Sequence, residues 1–138
     1  ESFLSIEHSE TRYSSYLSDP ETTIFVARTS DHALVAYSVA GLLELPVENY
    51  LPNALELKRL YVSSSYQSTG IGSHLMKIFI DWAKRKGDPD LYLGVFSGNT
   101  DAQRFYERHG FSRVGEYDFP VGSHTDYEFI YKRKSGLY

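Results

Sequence analysis

The stretch YQSTGIGSHLMKIF, Tyr66 to Phe79, decides how this chain is read. Gly70 and Gly72 stand one residue apart where a polar run gives way to an apolar helical pattern. Ile71, Leu75, Ile78, Phe79, Trp82 and Ala83 recur at steps of three and four, which predicts a helix with one apolar stripe. Lys84, Arg85 and Lys86 fall in its last turn, where cations suit the helix dipole. Gly87 and Pro89 supply a stop signal. Upstream, ALELKRLYV (Ala54–Val62) reads as a strand. Strand, glycine loop and helix together form an anion-binding arrangement, because the first helical turn carries free N–H groups and a partial positive charge. Glycines there let a phosphate approach those amides. A tight structural turn that merely starts a helix is the competing reading. Two nucleotide motifs fail: no G-x-x-x-x-G-K-[ST] string occurs, and Leu75 stands where a dinucleotide fingerprint needs its third glycine.

Working outward, Thr23–Arg28 and Ala33–Leu43 are β-rich and joined by a short turn-like link, which predicts an antiparallel hairpin. In Ala54–Val62 the apolar face switches: Leu55 and Leu57 share one face, Leu60 and Val62 the other. Such a switch predicts a bulge or a strand that changes neighbours. Leu91–Phe96 reads as a short buried strand and Ser97–Phe111 as a turn and a helix, capped by Asn99 or Thr100 and ended by Gly110. Phe111–Lys134 reads as two strands joined by a loop around Pro120 and Gly122. Before the hairpin, Phe3, Ile6, Tyr13, Tyr16 and Leu17 fall on one helical face, so a helix is expected there. The order is helix, three strands, helix, strand, helix, two strands: one α/β domain over residues 1–138 with a mixed sheet.

Composition narrows the function classes. A chain of 138 residues with 14 basic and 18 acidic side chains, net charge −4, lacks the basic stripe of a nucleic-acid surface. Without cysteine, disulfides and thiolate metal sites are excluded. The scattered histidines show no metal-ligand spacing, so no metal is expected. No apolar run approaches the roughly 20 residues that span a bilayer, so no membrane is expected and a cytoplasmic location is. Twelve tyrosines stand out, a residue suited to cleft walls.

Gln67, Gly70 and Gly72 form Q-x-x-G-x-G, which resembles the acetyl-CoA signature of the GNAT superfamily of acyl-CoA-dependent N-acyltransferases. ELKRLYV is similar to the strand that in this family runs beside the pantetheine arm. NTDAQRFYERHGF (Asn99–Phe111) is similar to the family's second cofactor segment. The resemblance is close from Glu56 to Phe111 and loose over the final hairpin. It implies the GNAT fold, a mixed, mostly antiparallel central sheet flanked by helices. With a single helix read before the hairpin, the family's first strand and a helix are left without a counterpart.

The resemblance further implies acetyl transfer from acetyl-CoA to a primary amine by direct attack in a ternary complex. Backbone amides of Gln67, Ser68, Thr69, Gly70, Ile71, Gly72 and Ser73 would hold the diphosphate. Leu60, Tyr61 and Val62 would bond the pantetheine arm through main-chain groups, with the N–H of Tyr61 or Val62 meeting the oxyanion. Asn99, Ala102 and Phe105 would lie beside the cofactor, with Arg104 or Arg108 near its 3′-phosphate. Tyr106 would protonate the departing thiolate, a feasible transfer between a phenol with pKa near 10 and a thiol near 8.5. Glu56, eleven residues before Gln67, would serve as base for an amine that is almost fully protonated at neutral pH. The bland alternatives are a plain helix cap for Asn99, a half-buried Tyr for Tyr106 and a solvated strand residue for Glu56. A non-catalytic acyl-CoA-binding or sensing domain of the same fold is the rival reading. A small molecule or a peptide remains open as the acceptor; the negative net charge points to a cationic one. A homodimer through the C-terminal strands is the assembly the resemblance implies.

Overall fold

The computed structural model describes the backbone of residues 4–9 and all of 22–136. Seven strands and two α-helices are present among them. The strands are β1 (Leu4–Ser9), β2 (Thr23–Thr29), β3 (Leu34–Leu42), β4 (Leu55–Val62), β5 (Leu91–Phe96), β6 (Ser112–Val121) and β7 (His124–Arg133). The helices are α1 (Ile71–Arg85) and α2 (Thr100–Arg108). They build one mixed sheet in the order β1-β2-β3-β4-β5-β7-β6. Every neighbouring pair is antiparallel except β4 and β5.

The expected helix over the N-terminal segment is corrected by β1. Leu4–Ser9 is a strand paired with β2, Ile6 standing opposite Ala27. Its sequence LSIEHS alternates with period two as well as matching a helical spacing, and the free edge of β2 settles the ambiguity. The remainder of that expected helix, residues 10–21, lies outside the described residues. A strand therefore does precede the hairpin. Pro120 is also misplaced by the sequence reading: it sits inside β6, and the turn falls at Gly122, whose φ is 58°. Edge position explains this, since β6 ends the sheet and an edge strand tolerates a missing N–H.

The expected bulge is present. Val39 pairs with Arg59 but Ala40 pairs with Leu57, so Lys58 is the extra residue on β4. Its consequence is a change of parity. Leu55 and Leu57 before the bulge, and Leu60 and Val62 after it, all pack into the same core beneath α1. Arg59 and Tyr61 are thereby sent to the opposite face, where their partners Val39 and Tyr37 form a separate small cluster with Ile24 and Val26. Gly41 makes room for this: a Cβ there would come within 3.0 Å of Lys58 Cε. The Lys58 ammonium then pairs with Glu44.

The main core lies between the sheet and α1. Helix α1 buries Ile71, Leu75, Met76, Phe79, Ile80, Trp82 and Ala83, a wider stripe than the spacing alone predicts, while Ile78 is only half-buried. Phe79 and Trp82 contact each other, and the Trp82 ring meets Phe25 of β2 edge-on at 6.0 Å. Both helices end in the same way. At α1, Gly87 N–H reaches the Lys84 carbonyl and Asp88 N–H the Ala83 carbonyl; at α2, Gly110 N–H reaches Glu107 and Phe111 N–H reaches Tyr106. These are Schellman ends, and the glycines take φ of 102° and 90° as the motif requires. Because Phe79 is 0 % exposed, Phe79→Ala is expected to lower unfolding stability by about 3–5 kcal/mol, measured by chemical denaturation.

Candidate active site

The site begins where β4 and β5 part. Only Leu55–Leu91 and Glu56–Tyr92 are paired; beyond them β4 runs on to Val62 with no strand partner on that side among the described residues. The antiparallel register with β3 states which main-chain groups are left open. Ser63 N–H donates to the Val35 carbonyl at 2.8 Å, and hydrogen-bonded pairs alternate along such a ladder. Tyr61 therefore spends its N–H and C=O on Tyr37, and Leu60 and Val62 turn theirs into the gap. The side-chain amide of Gln67 confirms the parity by donating to the Val62 carbonyl at 3.1 Å. This revises the expected donor: the open N–H groups belong to Val62 and Leu60. Tyr61 contributes its ring, tilted against Tyr37 with centroids 5.6 Å apart.

The glycine turn closes one end of the gap. Ser68 and Gly70 take left-handed backbone with φ of 65° and 92°, and Thr69 Oγ1 donates to the Tyr66 carbonyl. Gly70 is the N-cap of α1 and offers no side chain to the first turn. The helical ladder starts with His74 N–H on Gly70 O at 3.0 Å, which leaves the amides of Ile71, Gly72 and Ser73 outside it. Gly72 is the telling residue. A Cβ there would meet Phe105 at 3.6 Å and Val62 at 3.8 Å, which is ordinary contact, so packing within the protein does not demand glycine. What the missing side chain preserves is the space over the bare amides.

Helix α2 forms the other wall. Asn99 caps it, accepting from the Ala102 N–H at 3.1 Å. Its Schellman end holds Tyr106 through the Phe111 N–H and a ring contact at 6.3 Å. Between β4, the glycine turn and α2 lies a cavity of about 450 Å³, with Leu60, Val62, Gln67, Gly72, Phe105 and Tyr106 in its walls. A second cavity of about 280 Å³ opens on the opposite face of the sheet and shares Leu60 and Tyr106 with the first. Tyr106 thus stands at the junction, and burial pushes its phenol above the usual range. A third, larger space of about 730 Å³ extends along the outer side of α1 and shares Ser73 and Arg108 with the first.

Of the expected site residues, Leu60, Val62, Gln67, Ser68, Gly70, Gly72, Ser73, Ala102, Phe105 and Tyr106 converge on the first cavity. Thr69 and Ile71 flank it in the turn, Ile71 side chain buried in the core. Asn99 acts as a cap behind it. Arg104 pairs with Asp101, whereas Arg108 reaches both adjoining cavities. Sequence reasoning did not connect His109 to the site. Its Nε2 lies 3.2 Å from Ser73 Oγ and so ties the end of α2 to the start of α1. Nothing local signals a contact across 36 positions.

Glu56 sits at the last paired position, 9 % exposed, on the face of Arg59 and Tyr61 rather than in the first cavity. Its Oε1 accepts from the Glu44 N–H at 2.8 Å. Desolvation raises its pKa to about 7, outweighing the opposing effect of a hydrogen bond from the Leu45 backbone.

The arrangement is that of a known family. Residues 2–111 match the acetyltransferase (GNAT) family, and the chain belongs to it. An "uncharacterized N-acetyltransferase" of Mycobacterium bovis is 32 % identical over 96 % of this chain and 80 % of its own length. A second relative, from Lactobacillus delbrueckii, is 33 % identical over 69 % of this chain, which spans only 58 % of that protein. Among solved structures, the ribosomal-protein-S18-alanine N-acetyltransferase of Escherichia coli superposes with a TM-score of 0.78 over 99 % of this chain and 96 % of its own, at 18 % identity. An N-acetyltransferase of Thermoplasma acidophilum in complex with coenzyme A gives 0.63 over 83 % and 61 %, at 24 % identity. The fold is accordingly the GNAT fold.

Two outcomes follow from this geometry. Gly72→Ala is expected to keep or raise stability by up to about 1 kcal/mol, since Ala favours a helix, while lowering acetyl-CoA affinity; a denaturation curve and a calorimetric titration read the two effects. Glu56 has a folded pKa raised above its unfolded value, so the folded state prefers the protonated form. Its contribution to stability is full below pH about 4.5 and is lost as pH rises through about 7. Glu56→Gln is expected to flatten that part of the melting-temperature profile and to melt higher than wild type at pH 8.

Proposed function

We propose that this protein is an acetyl-CoA-dependent N-acetyltransferase that moves an acetyl group onto a primary amine by direct attack in a ternary complex. Tyr106 carries this reading, because it stands between the two cavities, where a thioester from one side and an amine from the other would meet. The cofactor's fit rests on the chain's own geometry. The bare amides from Ile71 to Ser73, with the space left by Gly72, suit a diphosphate. The open main-chain groups of Leu60 and Val62 suit an amide-bearing arm added alongside β4 as an extra strand. Phe105 and Ala102 cover the arm, and Arg108 with the 730 Å³ groove receives the nucleotide end.

Acetyl-CoA supplies the activated acyl group. The Val62 N–H, fixed by its register and unspent on β3, meets negative charge developing on the acyl oxygen. Tyr106 gives its proton to the departing sulfur; its raised pKa keeps it protonated at neutral pH. Glu56, close to half ionised at neutral pH, takes the amine's proton from behind the acceptor cavity through water. No residue is acylated.

Acetyl-CoA at 100 times its Kd is expected to add about 2.7 kcal/mol to unfolding stability, seen as a thermal shift. Tyr106→Phe should lower kcat by about 100-fold or more with acetyl-CoA affinity within twofold of wild type. Absence of any shift at millimolar acetyl-CoA refutes the assignment, and unchanged kcat in Tyr106→Phe refutes the acid role.

A further inference from the structure

The cavity on the far side of Tyr106 has its own charge pattern. Two of its walls are cationic, Lys58 and Arg59, and none of the described residues lining it is a carboxylate. The Lys58 charge is answered by Glu44. Arg59 is exposed, and no ion pair or hydrogen bond of its side chain occurs among the described residues. Tyr37 and Tyr61 stand beside it as an aromatic wall, and Gly94 of β5 leaves the facing side open. A Cβ at Gly94 would press to 3.3 Å from Leu45 and 3.5 Å from the Tyr117 hydroxyl, so that opening is tightly framed. Arg59 reaches this cavity only because the Lys58 bulge turned it to this face.

The net charge of −4 favours a cationic acceptor at long range, but surface charges are screened over about 8–10 Å in salt, and the acceptor makes its contacts inside the cavity. There a polycation would meet Arg59. A guanidinium presents paired donors that match a carboxylate. Glu56 lies on the same face, and its β3 partner Gly41 is two residues from Val39, the partner of Arg59. At about 3.4 Å per residue the two side chains start about 7 Å apart along the sheet, a span that one small zwitterion can bridge with its amine toward Glu56.

We propose that Arg59 is the acceptor-anion subsite, and that the acceptor is an amine carrying a carboxylate close to the nitrogen, an amino acid or an equivalent. This rests on the acetyl-transfer reading for its chemistry but not for its test. Binding is measured by calorimetry on the full chain, with and without CoA. The probes are N-acetylalanine, N-acetylmethionine and N-acetylphenylalanine, each against its carboxamide. The acids are expected to bind at least tenfold tighter than the amides. Arg59→Ala should abolish the difference and Arg59→Lys should keep part of it, with acetyl-CoA affinity unchanged in both. Equal binding of acid and amide, a preference that survives Arg59→Ala, or no binding of any acid at millimolar concentration overturns the proposal.

Thiol release separates the two readings. If amino amides release CoA thiol as readily as amino acids, acetyl transfer stands and the subsite falls. If acids bind through Arg59 but no amine releases thiol, the subsite stands and acetyl transfer falls.

Discussion

The parting of β4 from β5 is the constraint on which the rest of the structure depends. A central strand normally gives both its edges to neighbours, and a buried unpaired N–H or C=O costs about 1–3 kcal/mol. Here β4 keeps its β3 edge throughout and abandons its β5 edge after two pairs. The open groups are tolerated because they line a cavity, not a core, and because Gln67 satisfies one of them. The same gap lets Tyr106 touch both faces of the sheet from a helix that packs on only one. A fully zipped β4–β5 pair would leave no main-chain donor and no passage between the cavities.

The bulge at Lys58 is the local device behind the gap. Bulges increase strand twist and end pairing. Without the bulge the same residues would alternate strictly through Lys58, placing Arg59 with Leu55 and Leu57 over the core. One inserted residue therefore keeps Leu60 and Val62 in the core and sends Arg59 and Tyr61 to the opposite face. Gly41 and Glu44 support it from the flanks, one by its missing side chain and the other by its charge.

Much of this was legible in the residues. The hairpin, the glycine turn, α1, β5 and α2 announce themselves through period, caps and stop glycines, which are local signals. The face switch in LELKRLYV announced the bulge for the same reason. What stayed hidden depends on register between distant segments. LSIEHS became a strand because β2 offered an edge, and no feature within six residues could state that. Whether Tyr61 or Val62 exposes its N–H is a matter of one position in the β3 ladder. Glu56 was readable as a carboxylate on β4, but its burial beside the Leu45 segment, and hence its raised pKa, was not.

The glycine turn shows why a chain accepts a poor helix start. Glycine early in a helix costs up to about 1 kcal/mol relative to alanine, and an N-cap without a side-chain acceptor forgoes a further contribution. Asn99 of α2 shows that this chain can cap a helix with a side chain. At α1 both devices are withheld, and the apolar stripe from Ile71 to Ala83 holds the helix instead. Since the Gly72 Cβ would clash with nothing, the fold alone gives no reason for the omission. The proposed diphosphate would supply one, because it needs the amides bare and the approach clear, and on binding it would return the missing capping interaction.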